Sequence, residues 1–423
     1  MSRANRRVVI TGIGILTSIG MDAQSYWNAL VAGQCGVKPI TLFDTSPLLT
    51  RFAGEITKFE AKGYLSKEGK KSLRVMARPI QLAVVAAQVA LDDARVDNSK
   101  IDPTRFGTAF GAGLIPSELI ELAEASYIAT EANAHEPDLK VWGEKGIPAI
   151  QPLWMLKYLP NMLACHVSIL HNTQGPNNSI TEGDVGSLLA LGETTRVLKR
   201  DQSDLFFVGG ADSKINPLSM LRQELFGSLS KQNEAPATAL KPYDKRRDGT
   251  VIGEGGCVLM AEDLDHAQKR GAGIIGEVVG VGSTFDRGMS GAGLARAMKV
   301  ALAQAGIAAT DVDHVNGFGL GSKTLDAFEA RAIHEVFGAA VPVWSVKPNI
   351  GHLGAGSALA ELAASLLAMK HGILPPTLNH EVPDPECPVQ VVTKSRPIQK
   401  PYFIKLAFTE MGQIAAVVCK KWG

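Results

Sequence analysis

No uninterrupted apolar run in this sequence reaches the roughly 18 residues that a membrane-spanning helix needs, so no membrane span is expected. An excess of one charge is missing as well: 43 Lys plus Arg stand against 42 Asp plus Glu, a formal net charge of +1. That balance gives the chain no overall field for nucleic acid or anionic lipid, and leaves recognition of a charged partner to local patches. Paired cysteines are also absent. Cys35, Cys165, Cys257, Cys387 and Cys419 are odd in number and scattered, without the spacing of zinc sites or redox dithiols. A reducing compartment suits them, and neither a metal nor a cofactor is expected. The start, MSRANRRVVITG, passes from basic residues directly into a strand too short for the apolar core of a secretory signal, so the expected location is the cytoplasm.

What is present is enough for one large core or two medium ones: 423 residues, 45% apolar and 20% charged, within the ordinary globular range. The β-branched run Arg7–Thr11 predicts a buried strand, followed by a helix over Asp22–Ala32. Arg78–Ala94 predicts an apolar helix and Phe106–Gly113 a glycine-punctuated strand. Ile115–Gly146 is polar, with several acidic residues, and predicts a helical excursion on the surface. An apolar helix over Leu159–Leu170 carries Cys165 and His166; side chains at i and i+1 diverge on a helix, so these two read as core rather than as a couple. Asp204–Gly210 reads as a buried strand, and Ser230–Gly256 as a long structured loop.

The second half repeats this logic. Ile274–Gly282 echoes the first strand, Leu294–Ala305 is helical, and Val312–Gly319 is a strand with a glycine turn. Val343–His352 leads into a small-residue helix over Leu353–His371, which parallels the helix that follows Asp184. Strand, helix, strand and then a turn with a functional-looking residue before a buried helix occur twice. That repetition predicts an internally duplicated α/β fold, with halves at residues 1–260 and 261–423.

Gly175–Ser187, GPNNSITEGDVGS, is the focus of the pattern. A Gly-Pro turn, a short strand and Glu182-Gly183-Asp184 lead into a helix, so Asp184 lies where a strand hands over to a helix N-terminus. Backbone N–H groups and the helix dipole stabilise negative charge at such a junction. A carboxylate there is a good helix cap and a poor acyl acceptor.

These stretches carry a resemblance. RRVVITGIG, WNALVAGQCGV, FDTS, RFAGEI, LPNMLACHVSILHNTQGPNNSI, VGGADS, KPYDKRRDGTVIGEGG, EDLDHAQKRGA, SVKPNIGHLGAGSALAE and PPTLN together resemble the elongating β-ketoacyl-acyl carrier protein synthases. The resemblance implies a thiolase-like, five-layer α-β-α-β-α fold. It also implies condensing chemistry: a cysteine accepts an acyl chain, and two histidines assist decarboxylation of a malonyl group on carrier protein. Aligned to the family, Asp184 takes the cysteine position, Phe318 in NGFGLGS takes the first histidine position, and Glu410 in FTEMGQI takes the place of the gating aromatic. Lys347 and His352 in SVKPNIGH keep the family's lysine and second histidine. Asp326 and Glu329 keep its acidic pair, with Glu329 expected to pair with Lys347.

Two classes of function follow from the resemblance. One is a non-condensing subunit similar to the chain-length factors of type II polyketide synthases, working as a partner of an active ketosynthase in fatty acid or polyketide biosynthesis. Those factors usually carry glutamine where this chain has Asp184. The other is an enzyme of altered acyl-thioester chemistry, hydrolysis or dehydration, using Asp184, Glu182, Glu410 and His352. The fold implies a homodimer, or a heterodimer with an active ketosynthase, through the strand beside the nucleophile helix. The basic cluster Lys67, Lys70, Lys71 and Arg74 is expected to dock acyl carrier protein through its acidic surface, with a solvated helix start as the plain alternative. A pocket filled by Phe318 and Met411 would argue against any substrate beside Asp184.

Overall fold

The computed structural model describes residues 6–131, 136–227 and 229–423. Eleven strands make one sheet: β1 (Val8–Leu16), β2 (Phe106–Gly111), β3 (Asn177–Ile180), β4 (Leu205–Ser213), β5 (Glu254–Asp263), β6 (Gly276–Phe285), β7 (Val312–Asn316), β8 (Pro342–Trp344), β9 (Gln390–Val391), β10 (Tyr402–Phe408) and β11 (Gln413–Lys421). Their order is β9-β8-β7-β10-β11-β6-β1-β5-β4-β2-β3. The duplication expected from sequence is plain in this order. Setting aside the two-residue edge strand β9 and counting strands within each half, β3-β2-β4-β5-β1 and β8-β7-β10-β11-β6 both run third, second, fourth, fifth, first. Parallel and antiparallel pairings also match pair for pair. The halves join where β1 pairs antiparallel with β6, Val8 opposite Val278.

Helices complete the layers. α2 (Arg78–Asp93) and α3 (Met162–His171) cover the outer face of the first half, while α5 (Ala292–Ala305) and α6 (Lys323–Phe337) cover the second. Between the half-sheets run α4 (Gly186–Lys199) and α7 (Ser357–His371). α7 is buried without a break from Ser357 to Met369, as a helix apolar on all sides must be. It stops at Gly372, which adopts the left-handed conformation that glycine tolerates best. This is the five-layer arrangement that the resemblance implied.

Differences from the sequence expectation are local. The helix expected over Leu353–His371 begins at Ser357, because Gly354–Gly356 form a tight turn first. The loop expected over Ser230–Gly256 gives its last three residues to β5. The surface excursion holds a helix at Leu119–Thr130 and further turns from Leu139 to Ala149, while residues 132–135 of it lie outside the described set. Among the described residues, no helix is long and apolar enough to cross a membrane.

The start of α4 is seated directly on β2. A Cβ added at Gly111 would fall 2.0 Å from the Ser187 nitrogen and 2.3 Å from the Gly186 carbonyl carbon. Gly111→Ala is therefore expected to cost about 1–3 kcal/mol or more through overpacking. Gly63→Ala, where an added Cβ meets nothing within 4 Å, should stay within about 0.5 kcal/mol of the parent. Equal melting temperatures for the two variants would show that this seat is not tight.

Candidate functional site

The junction after β3 is a short 3-10 turn, Gly183–Val185, that runs into α4. Asp184 stands on this turn, but its side chain does not cap the helix, so the expected N-cap role is corrected. The turn carries the carboxylate past the helix end toward a second turn instead. There, Asp184 Oδ1 lies 3.2 Å from His352 Nε2 and 3.9 Å from Lys214 Nζ. Lys214 Nζ also lies 3.8 Å from Asp212 Oδ2, so one ammonium spans two carboxylates.

His352 is placed by the sequence around it. The short helix Lys347–Ile350 ends at Gly351, φ +78°, where an added Cβ would also meet the Ile252 carbonyl oxygen at 2.9 Å. The chain turns there and presents the imidazole toward Asp184. On its other side, His352 Nδ1 lies 3.2 Å from Ser357 Oγ, and that oxygen accepts the Leu353 N–H at 2.8 Å. A carboxylate can only accept, so a proton on Nε2 suits the Asp184 contact. The donor face of His352 is thus spent on Asp184.

Asp184 is 24% exposed. Burial pushes its carboxyl up, but His352, Lys214 and the more distant Lys347 together hold it well below the usual carboxylate range. A depressed carboxyl stabilises the fold above its ordinary titration range, and that contribution is lost as the pH falls through and below it. At neutral pH the group is a fixed anion and a weak base.

Phe318 stands behind this pair, fully buried. Its ring meets His352 edge-on, 5.6 Å between centroids, and packs against Phe408 at 4.9 Å. On its face lies Lys347 Nζ, 3.9 Å from the centroid. The expected Glu329–Lys347 pair does not form. Glu329 accepts from the Phe318 N–H at 2.6 Å, the Gly319 N–H at 2.9 Å and the Tyr243 hydroxyl at 2.8 Å. Asp326 likewise accepts from the Tyr243 N–H at 2.9 Å and the Gly321 N–H at 3.1 Å. The acidic pair therefore holds the backbone turn that carries Phe318. Burial drives Asp326 up to about 7, against those backbone donors.

Lys347 instead pairs with Glu361 of α7, and Lys405 of β10 pairs with the same carboxylate. All three side chains have 0% exposure. Sequence reasoning missed Glu361, Lys405 and Lys214. A signal for the first two existed: each is a lone charge in an otherwise apolar or small-residue element, ALAELAAS and FIKLAF, and the two charges are opposite. Lys214 follows β4 with no pattern to mark it.

A cavity of about 490 Å³ opens beside Asp184. Glu182, Asp184, Lys214, Thr250, His352 and Glu410 line it, with Arg222, Phe226 and Met411 toward solvent. The four residues expected to converge do share this cavity. Glu410 is exposed on the Thr409–Gly412 turn between β10 and β11, and among the described residues no hydrogen bond or ion pair engages it. Phe318 is not in the lining, and Met411 is 75% exposed, so the pocket is open rather than filled by them. Lys67, Lys70 and Lys71 lie on the short helix α1 (Lys67–Ser72), with Arg74 in the turn that follows; all four are exposed and none lines the cavity. Among the described residues, no group of three or more His, Cys, Asp or Glu is placed to hold a metal.

Comparison with known proteins gives this geometry a lineage. The profile "Beta-ketoacyl synthase, N-terminal domain" matches residues 5–266 and "Beta-ketoacyl synthase, C-terminal domain" matches residues 275–381. The 3-oxoacyl-[acyl-carrier-protein] synthase 2 of Vibrio cholerae serotype O1 is 33% identical over 399 residues, 92% of each chain. The protein of that name from Staphylococcus aureus (strain COL) is 32% identical over 428 residues, 99% of each chain. Among solved structures, the ishigamide ketosynthase/chain length factor superposes with a TM-score of 0.88 at 27% identity, covering 99% of this chain and 100% of that one. A type II polyketide synthase acyl-carrier protein in complex with its ketosynthase, AntDE:AntF, gives 0.82 at 25% identity, covering 99% and 100%. With its duplicated sheet, its two facing turns and profile matches along most of its length, this chain belongs to the β-ketoacyl synthase family.

Proposed function

We propose that this chain is a non-condensing member of the family, a partner subunit that shapes the work of an active ketosynthase rather than forming carbon–carbon bonds itself. The observation that carries the proposal is the Asp184–His352 contact. In a condensing site the nucleophile attacks a thioester, and the histidine is free to stabilise the enolate left by decarboxylation. Here the carboxylate would give a mixed anhydride, which water hydrolyses readily. It also occupies the Nε2 proton of His352, and as a fixed anion it repels a malonyl carboxylate. Phe318, at the position of the other histidine, has no hydrogen bond to offer.

The fold supports a dimeric assembly. Among the described residues, β3 is the last strand of the sheet and its outer edge is unpaired, with Asn177 and Asn178 exposed. Leu119, Ile120, Tyr127 and Leu139 on the surface excursion are exposed apolar side chains, as an interface would use. The likeness to the ketosynthase/chain length factor supports a dimer through this edge. The carrier-protein complex of AntDE:AntF supports acyl carrier protein as a further partner, with Lys67, Lys70, Lys71 and Arg74 as its docking residues.

Co-expression of the tagged chain with the ketosynthase of its own pathway tests the proposal. The expected result is a heterodimer whose products differ in chain length from those of the ketosynthase alone. A stable homodimer that ignores the ketosynthase, and that hydrolyses or dehydrates acyl carrier thioesters, would replace this proposal with the altered-enzyme function.

A further inference from the structure

Two fully buried lysines share one buried carboxylate. Lys347 and Lys405 both pair with Glu361, and their charges sum with its charge to one unit of positive excess. Lys405 Nζ also donates to Asn316 Oδ1 and to the Gly317 carbonyl, each at 3.1 Å. Glu329 is a further carboxylate near this group: its oxygens accept from the Phe318 and Gly319 amides and the Tyr243 hydroxyl, and its charge also supports the Lys405 ammonium. The phenyl ring of Phe318 meets both ammonium groups, with Lys347 Nζ 3.9 Å and Lys405 Nζ 5.9 Å from its centroid. A ring face stabilises cations without neutralising them. Beyond the ring come His352 and then Asp184.

We propose that Lys405 is a positioning residue for the cavity. It places a second ammonium on the single Glu361 carboxylate behind Phe318, and the Asp184 carboxylate is the anion that answers this charge through the Phe318–His352 layer. Phe318, Lys405 and Asp184 are then parts of one electrostatic arrangement rather than three unrelated residues. The anion at position 184 is tolerated, although only 24% exposed, because the interior behind it carries positive charge. Burial pulls the Lys405 ammonium down to about 8, with Lys347 adding to the downward pull, while Glu361 and, more weakly, Glu329 hold it up. Lys347 is itself among the groups that depress Asp184. The other charged groups facing position 184 are Lys214 and Asp212 beside it, with Glu182, Arg222 and Glu410 on the cavity wall.

The inference deepens the proposed function, since it rests on Asp184 being a held anion, and its test uses no turnover. Asp184→Cys puts a thiol at the cavity surface, where iodoacetamide can reach it. The pH profile of alkylation, followed by mass spectrometry on the peptide containing position 184, reports the thiol pKa whatever the other cysteines do. We expect the apparent pKa to lie below the free-cysteine value of about 8.5. Adding Lys405→Met should raise it by about half a unit to one unit, the scale of one charge at roughly 10 Å and an effective dielectric constant of about 20–40. Adding Lys405→Arg, which keeps the charge, should leave it low. If the Met variant does not fold, Lys405→Gln serves, since it keeps a donor for Asn316. An unchanged pKa on neutralising Lys405, or an equal rise with arginine, would overturn the proposal. Either result would leave the non-condensing function standing, and product formation by the parent protein would sink that function without touching this pKa test.

Discussion

Glu361→Gln is expected to lower stability by about 3–5 kcal/mol, which makes it among the most damaging conservative substitutions in the chain. Glutamine keeps the shape of the side chain, so the packing of α7 is not the cause. What changes is that Lys347 and Lys405, both at 0% exposure, lose their shared counter-ion and face each other in the same buried space. Burial raises the Glu361 carboxyl, but the two lysines together hold it below its ordinary range, so the charge is present at neutral pH. Thermal and urea unfolding would read the loss. Replacing all three residues with apolar ones of similar volume, Lys347→Met, Glu361→Leu and Lys405→Met, should recover most of it, because a buried ionic group is costly mainly when it is broken. A loss below about 1 kcal/mol for Glu361→Gln would mean that the group is not ionised in the folded protein.

The second large effect is an uncoupling of two chemical steps. Asp184→Cys introduces a thiol immediately before the N-terminus of α4, next to His352 Nε2, where dipole and imidazole both favour the thiolate. This variant should take up an acyl group from a carrier thioester, visible as a mass increase on intact protein. It should still fail to condense, since Phe318 donates no proton and Glu410 remains in the turn between β10 and β11. The shortfall from a missing acid–base group is on the order of 10²–10⁴-fold in rate. Adding Phe318→His would place an imidazole between His352 and Lys347. The nearby ammonium groups would keep that ring neutral, so its N–H could serve as a hydrogen-bond donor, and part of the shortfall should return. Full turnover by Asp184→Cys alone would show that Phe318 and the Glu410 turn matter little.

Much of this arrangement is legible in the sequence, and the reasons differ from residue to residue. The duplicated order of strands and helices shows because strands buried on both faces read as continuous apolar runs, and RVVIT and DLFFVGG do so. His352 and Lys347 show because SVKPNIGH is a compact family motif. The Asp184–His352 contact does not show, since it joins residues far apart in the chain whose turns meet only after the half-sheets fold together. The partner of Lys347 was missed for a related reason. Glu329 and Glu361 are both acidic residues on helices near the motif, and nothing in spacing says which carboxylate turns toward the lysine. The fold decides it: Glu329 on α6 is drawn to the amides of the Phe318 turn, while α7 brings Glu361 between β7 and β10. Lys405 is the instructive case. A lysine inside a strand buried along nearly all its length should have a carboxylate waiting, and the apolar helix with one glutamate was the place to look.

Incubation of the unmodified protein with acyl and malonyl carrier-protein thioesters, followed by intact mass and product analysis, bears most directly on whether this site condenses. With Asp184 locked against His352, the protein should show no covalent acyl adduct, no carbon dioxide release and no 3-oxoacyl product. An adduct on the peptide containing Asp184, or a 3-oxoacyl thioester formed by this chain alone, would contradict it.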